Sequence, residues 1–187
     1  MRQFIFLTLV SLFLFTNKVS AQEKYFSKNA IIAFDAEGKL DDVEDIKAQS
    51  NTATCVYDSK TGNMEWSVNV KSFKFANSLM QEHFNENYLE SDKFPKATFK
   101  GQTDKPIDLT KNGTYQTKVK GKLTIHGVTK DVDVNGAFVV KDGVVSSASK
   151  FEVALKDYNI EVPTVVFMKV AETVKIEIKT VLQVLKK

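Results

Sequence analysis

The sequence predicts a mainly β protein: an antiparallel barrel of about eight strands with one α-helix laid against it. Three observations carry this prediction. Long stretches alternate apolar and polar residues with a period of two, which marks a strand with one buried face. Hairpin-type turn signals separate those stretches. One segment, Phe73 to Gly101, breaks the pattern: it leaves a strand, takes up a helical period, and returns to a strand through Phe94-Pro95. A one-sided apolar face on successive antiparallel strands favours curling and closure, and closure removes exposed edges. About eight strands is the size at which a barrel interior holds side chains or one small ligand.

The first residues stand apart. Arg2 precedes an apolar run, Phe4 to Phe15, and Val19-Ser20-Ala21 supplies small residues where a signal peptidase cuts. Residues 1–21 therefore read as a cleaved signal peptide and 22–187 as the mature domain, destined for the periplasm or for secretion. The apolar run is shorter than the roughly 20 residues a membrane span needs. Gln22 excludes lipidation at that site, because a lipoprotein carries Cys there. Arg2 and Lys18 account for most of the formal charge of +3, so the mature domain is near neutral. No Lys/Arg cluster points to nucleic acid or an anionic membrane. The single Cys cannot form an internal disulfide. Cys55 lies in an alternating stretch and reads as a buried strand thiol. Stability then rests on an apolar core.

Tyr25 to Phe34 reads as the first strand, with Ile32 and Phe34 on one face. Residues 41–51 are ambiguous between an exposed edge strand and a loop. Thr52 to Tyr57 is a strand, closed by a hairpin loop over 58–63. Met64, Trp66, Val68 and Val70 then share a face, after which Phe73 and Phe75 fall out of phase; a bulge near Lys71-Ser72 would reconcile the two sets. The helix follows. Ser78 and Gln81 fit a capping box, and Leu79, Met80, His83, Phe84, Asn87 and Tyr88 make an apolar stripe. Glu82, Glu86 and Glu90 belong to a wet face.

Ala97 to Lys100 resumes the strand pattern, and residues 103–113 form a polar connection. Tyr115, Thr117, Val119, Gly121, Leu123 and Ile125 line one face of a long strand. His126-Gly127 and Asp142-Gly143 mark two hairpins around a return strand bearing Val132, Val134, Phe138 and Val140. Phe151, Val153 and Leu155 continue the face. Residues 158–163 interrupt it as a loop or short 3₁₀ turn, and Val174, Ile176, Ile178, Leu182 and Val184 make the final strand.

Catalytic vocabulary is sparse. His83 and His126 form no zinc motif, and no nucleophile elbow, phosphate loop or dinucleotide fingerprint occurs. His126, before Gly at a turn, reads as a structural turn residue, and His83 as a hydrogen-bonded packing residue. An enzyme using the two histidines is the least supported reading, and no cofactor or metal is expected. What the chain has in quantity is inward-facing apolar surface. The candidate ligand-binding residues are Trp66, Val68, Phe73, Phe75, Phe99, Tyr115, Val119, Leu123, Phe138 and Phe151 inside the barrel, with Met80 and Phe84 on a helix that acts as lid or wall. They describe either an ordinary packed core or a tunnel for an apolar chain. Periodicity does not separate a filled barrel from a hollow one.

Two linked motifs carry a family resemblance. Ser72-Phe-Lys-Phe75, Leu79-Met-Gln-Glu-His83 and Tyr88-Leu-Glu-Ser-Asp-Lys-Phe-Pro-Lys-Ala-Thr-Phe99 resemble the helix-and-return signature of YceI-like proteins. Gly121-Lys-Leu-Thr-Ile-His-Gly-Val-Thr-Lys130 is similar to that family's second hallmark. Asp157-Tyr-Asn-Ile160 and the Val174-x-Ile-x-Ile strand fit its C-terminal part. The early segment Asn29 to Leu40 lacks the His-Ser and His-Leu-Gly-like elements of better-known members. The resemblance implies a lipocalin-like barrel and an exported protein, and the sparse catalytic vocabulary makes a non-enzymatic one the expectation. The resemblance further implies a partner that is an apolar or amphiphilic small molecule, isoprenoid or fatty-acid-like. A filled barrel serving as an envelope or stress protein is the alternative. A homodimer is compatible with the sequence, which carries no signal for it.

Overall fold

The computed structural model describes residues 24–37, 46–162 and 170–185. The leader expected over 1–21 lies outside the described residues. Among the described residues, nine strands form one antiparallel sheet: β1 Lys24–Glu37, β2 Lys47–Asp58, β3 Asn63–Asn69, β4 Lys74–Phe75, β5 Lys96–Thr103, β6 Gly113–Ile125, β7 Val128–Lys141, β8 Val144–Ala154 and β9 Val170–Val184. Eight of them close into a ring, because β1 pairs with both β9 and β2, while the two-residue β4 hangs on β2. The result is a closed eight-stranded antiparallel barrel with one helix, as the alternation predicts.

Local chemistry accounts for the hairpins. Ile125 pairs with Val128 and Lys141 with Val144, leaving His126-Gly127 and Asp142-Gly143 as two-residue turns. All four turn residues have positive φ (49° and 73°, 50° and 80°), the geometry whose twist matches the flanking strands. Between these turns the register runs unbroken, Gly113 to Ile125 against Val140 to Val128. The alternating face of β6 is realised as read: Thr117 and Val119 are buried, while Lys118, Lys120 and Lys122 are exposed.

Three readings are corrected. The phase slip after Val70 is not a bulge. β3 stops at Asn69, a 3₁₀ turn spans Val70–Ser72, and Asn69 caps it by accepting from the Lys71 amide at 3.0 Å. The turn rotates the chain so that Phe73 is buried although its parity differs from that of Val68. The helix cap is Asn77, not Ser78: its side chain accepts from the amides of Leu79 (2.8 Å) and Met80 (3.3 Å). Gln81 closes no capping box; its carbonyl instead accepts from the Phe75 amide at 3.4 Å. Helix α1 runs over Ser78–His83 and continues as a π turn through Phe84–Tyr88. Third, Leu79 is 56% exposed and leaves the stripe. Met80, Phe84 and Tyr88 are spaced by four and share the barrel-facing side, and Leu79 is displaced by about 100° from Met80.

The core divides along the barrel axis. Tyr25, Cys55, Tyr57, Met64, Ile107, Leu109, Val119, Phe138, Val140, Val145 and Leu182 pack at the end where β2, β5, β7 and β9 finish. At the opposite end, under α1, Ala30, Ala48, Ala53, Val68 and Phe73 make a second cluster. Val153, Tyr158 and Ile160 make a third beside it.

Candidate functional site

Inside the ring lies a cavity of about 560 Å³. Its wall takes residues from β1, β2, β3, β5, β6, β7, β8 and β9, and α1 covers its far end. The inward positions of an antiparallel strand recur every second residue, so eight strands supply eight rows of side chains to one lumen.

The lumen has a floor. Tyr57 and Phe138 face each other with ring centroids 4.9 Å apart, and both line the cavity. The Tyr57 hydroxyl contacts Thr103 Oγ1 on β5 at 3.4 Å. Burial pushes the Tyr57 phenol above its ordinary pKa, and the Thr103 contact opposes that push without cancelling it. Below the pair, Ile107 and Leu109 are each 3% exposed and belong to the packed cluster, not to the cavity wall. These two come from the stretch read as a polar connection. Thr103 Oγ1 donates to the Lys105 carbonyl at 2.8 Å, which turns the connection back under the barrel.

The other end is aromatic. Phe34 stacks on Phe84 at 5.3 Å and 19°, and Phe73 and Phe75 meet Phe84 edge-on or tilted at 5.8 and 5.1 Å. Alternation places Phe34 on one face of the first strand, and the closed fold brings it into this cluster.

Eleven of the twelve candidate residues border the cavity. Trp66, Val68 and Phe99 come from β3 and β5, and Val119, Leu123 and Phe138 from β6 and β7. Phe151 lies on β8, and Phe73, Phe75, Met80 and Phe84 form the helix-end wall. Tyr115 does not border it. It packs against the filled cluster, and its hydroxyl donates to the Lys111 carbonyl at 2.9 Å. Its inward parity was correct, but at its level the lumen is already plugged.

A wall feature the alternation pattern could not show is the pair Gly101 and Gly121, opposite each other on β5 and β6. A Cβ on Gly101 would lie 2.5 Å from the Phe99 ring tip, and one on Gly121 would lie 2.7 Å from it. Two bare positions in register let the Phe99 ring lie along the wall. The available signal was two glycines at inward positions of neighbouring strands.

Titratable groups sit mostly outside the lumen. Among the described residues no wall residue is Asp, Glu, Lys or Arg. Cys55 is buried, as read, and burial pushes its thiol up to about 11, so it stays protonated. His126 is indeed a turn residue, with a further role. Its Nδ1 lies 3.1 Å from the Tyr158 carbonyl and its Nε2 lies 2.9 Å from Glu90 Oε2. Both partners are acceptors, so the two bonds coexist only when the ring carries both protons. Glu90 is therefore not on a wet helix face. It follows the helix with φ 42°, pairs also with Lys93, and ties the helix exit to the β6–β7 turn. His83 is exposed at the cavity rim, with Nδ1 2.9 Å from the Asn87 amide nitrogen. Among the described residues no group of three His, Cys, Asp or Glu is placed to hold a metal ion.

A closed eight-stranded barrel around one apolar lumen defines a lipocalin-like architecture. Residues 17–182 match the YceI-like domain, and the chain belongs to that family. No curated protein matches the chain. Solved structures share the fold at low identity. A polyisoprenoid-binding domain from Saccharophagus degradans, implicated in plant cell wall breakdown, superposes with TM-score 0.73 and 13% identity, covering 88% of this chain and 99% of that one. BcnA of Burkholderia cenocepacia gives TM-score 0.66 at 15% identity, covering 82% and 96%. The Campylobacter jejuni YceI protein gives 0.62 at 17%, covering 80% and 90%.

Proposed function

We propose that this protein is an exported, non-enzymatic carrier that holds a polyisoprenoid or similar amphiphilic chain inside its barrel. The observation that carries the reading is the cavity itself: about 560 Å³, walled by apolar and aromatic side chains between a floor and a helix. That volume lies within the range of roughly 300–1,000 Å³ for single-ligand pockets. Each methylene transferred from water into such a lumen contributes about 0.8 kcal/mol, so an apolar chain is held along its length rather than at one point. A charged headgroup drawn inside would find no opposite charge on the described wall, which costs several kcal/mol by general estimates. It belongs at the helix end, in water. Family membership and the polyisoprenoid-binding relative support the ligand class, and the leader-like first residues support passage to the periplasm or secretion. A barrel filled solid, the alternative reading, is at odds with the hollow.

Trp66 makes the test direct, because it is the only tryptophan and borders the cavity. Delipidated protein titrated with farnesol, geranylgeraniol and a fatty acid should show a saturable change in Trp66 emission. Native mass spectrometry of protein purified from its own lysate should show a bound lipid mass. Flat titrations together with uniformly empty protein would overturn the proposal.

A further inference from the structure

We infer that the Tyr57–Phe138 floor sets the length of chain the barrel admits, and that Gly136, the bare wall position next above it on β7, sets the last increment of depth. The inference rests on the carrier reading and goes beyond it by assigning a selectivity device.

The filled and hollow parts of the lumen meet around Tyr57 and Phe138. These two, with Cys55, Met64, Val119 and Leu182, belong both to the packed cluster and to the cavity wall, whereas Ile107 and Leu109 belong to the packed cluster alone. A chain entering from the helix end therefore stops against two rings that are themselves backed. Phe138 is 4% and Tyr57 2% exposed, and on the side away from the lumen both rings pack against the filled cluster. The Thr103 contact to the Tyr57 hydroxyl opposes rotation of that ring.

Gly136 lies two residues before Phe138, on the same inward face of β7, opposite Thr117. It lines the cavity. A Cβ there would meet only the Ala148 carbonyl oxygen and Val119 Cγ2, each at 3.6 Å, which is ordinary van der Waals contact. No positive φ requires glycine at this position. The contrast with Gly101 and Gly121 is sharp, since a Cβ on either would run into the backbone of the facing strand and the Phe99 ring. The missing side chain at 136 leaves lumen directly above the floor. A large residue there raises the floor without disturbing the wall.

The experiment measures affinity for a series of neutral prenols, from geraniol through farnesol and geranylgeraniol to solanesol, by Trp66 emission. It compares wild type, Gly136→Leu, Gly136→Phe and Phe138→Leu, each checked for folding by circular dichroism. Affinity in wild type should rise with chain length and then level off. In the Gly136 variants the plateau should come at a shorter prenol, with roughly tenfold or greater loss for the longest fully held chain, equivalent to about two excluded methylenes. The shortest prenol should bind unchanged. Phe138→Leu should move the plateau to a longer prenol. Should a folded Gly136 variant, either one, bind the whole series as wild type does, the floor proposal fails while the carrier reading stands. Binding of no prenol by wild type would overturn both.

Discussion

At one end of the barrel Tyr57, Ile107, Leu109 and Phe138 pack together and leave no lumen. At the other, Phe34, Phe73, Phe75 and Phe84 touch one another yet border open space. Composition does not explain the difference, since the hollow end has more phenylalanine. What differs is the element that covers each end. The 104–112 connection drives two aliphatic side chains inward, both 3% exposed. The helix covers its end from outside with Met80, Phe84 and Tyr88 and turns Leu79 to solvent. A barrel section is filled or empty according to whether its cover inserts side chains or merely lies over it.

The largest expected effect tests the filled end. Ile107→Ala should cost about 2–5 kcal/mol in chemical denaturation, because a plugged site cannot collapse around the gap. A loss near zero would mean that this end is not plugged. Next comes the hollow end. Phe84→Ala should cost only about 1–2 kcal/mol, since one side of its ring already faces space. The same change should weaken prenol binding about tenfold in the Trp66 titration. If Phe84→Ala destabilises as much as Ile107→Ala, the two ends are not distinct.

A smaller effect probes how the cover is held. Asn77→Ala removes the helix cap and should cost about 1 kcal/mol in thermal or denaturant unfolding. Ser78→Ala should be close to silent, and the reverse ranking would restore Ser78 as the cap. The smallest effect is electrostatic and involves exposed groups. Lys93, then His126, hold the Glu90 carboxyl below its ordinary range at the helix end. Thr110 and Lys111 hold Asp108 at about 2 beside the plug. Both values are depressed in the folded state, so each contribution is complete above the unfolded value and drains as pH falls through the folded one. Melting temperature should therefore drop with acid less steeply in Glu90→Gln and in Asp108→Asn than in wild type. Asp108→Asn should remove a part that persists towards pH 2, and curves parallel to wild type would refute either assignment.

Much of the fold was legible because its signals are local. Alternation along β6 and β7 and the dipeptides His126-Gly127 and Asp142-Gly143 specify faces and turns within a few residues. The slip after Val70 was visible in phase, but a 3₁₀ turn and a bulge both produce it, and only the pairing of Phe75 with Ala48 on β2 decides. Asn77 and Ser78 are both good caps, so which one ends the extended chain depends on where the helix begins. Ile107 and Leu109 were hidden because two apolar residues in a polar stretch have no period. The candidate wall was readable for the same reason the strands were: parity tells which way a side chain points. It does not tell what lies opposite, and so Tyr115 points inward at a level where the barrel is already full.

The pairing of β1 with β9 has a consequence for how this interior comes to exist. Tyr25 lies opposite Val184, and the Leu185 amide donates to the Lys24 carbonyl at 2.7 Å, so the seam joins segments separated by nearly the whole described chain. The β6–β7–β8 hairpins close loops of two residues, whereas the seam bears the largest loop-closure entropy in the molecule and belongs late in folding. Until it forms there is a curled sheet with two open edges and one wet apolar face, but no enclosed lumen. On the carrier reading, an enclosed lumen for an apolar chain exists only once this seam has formed.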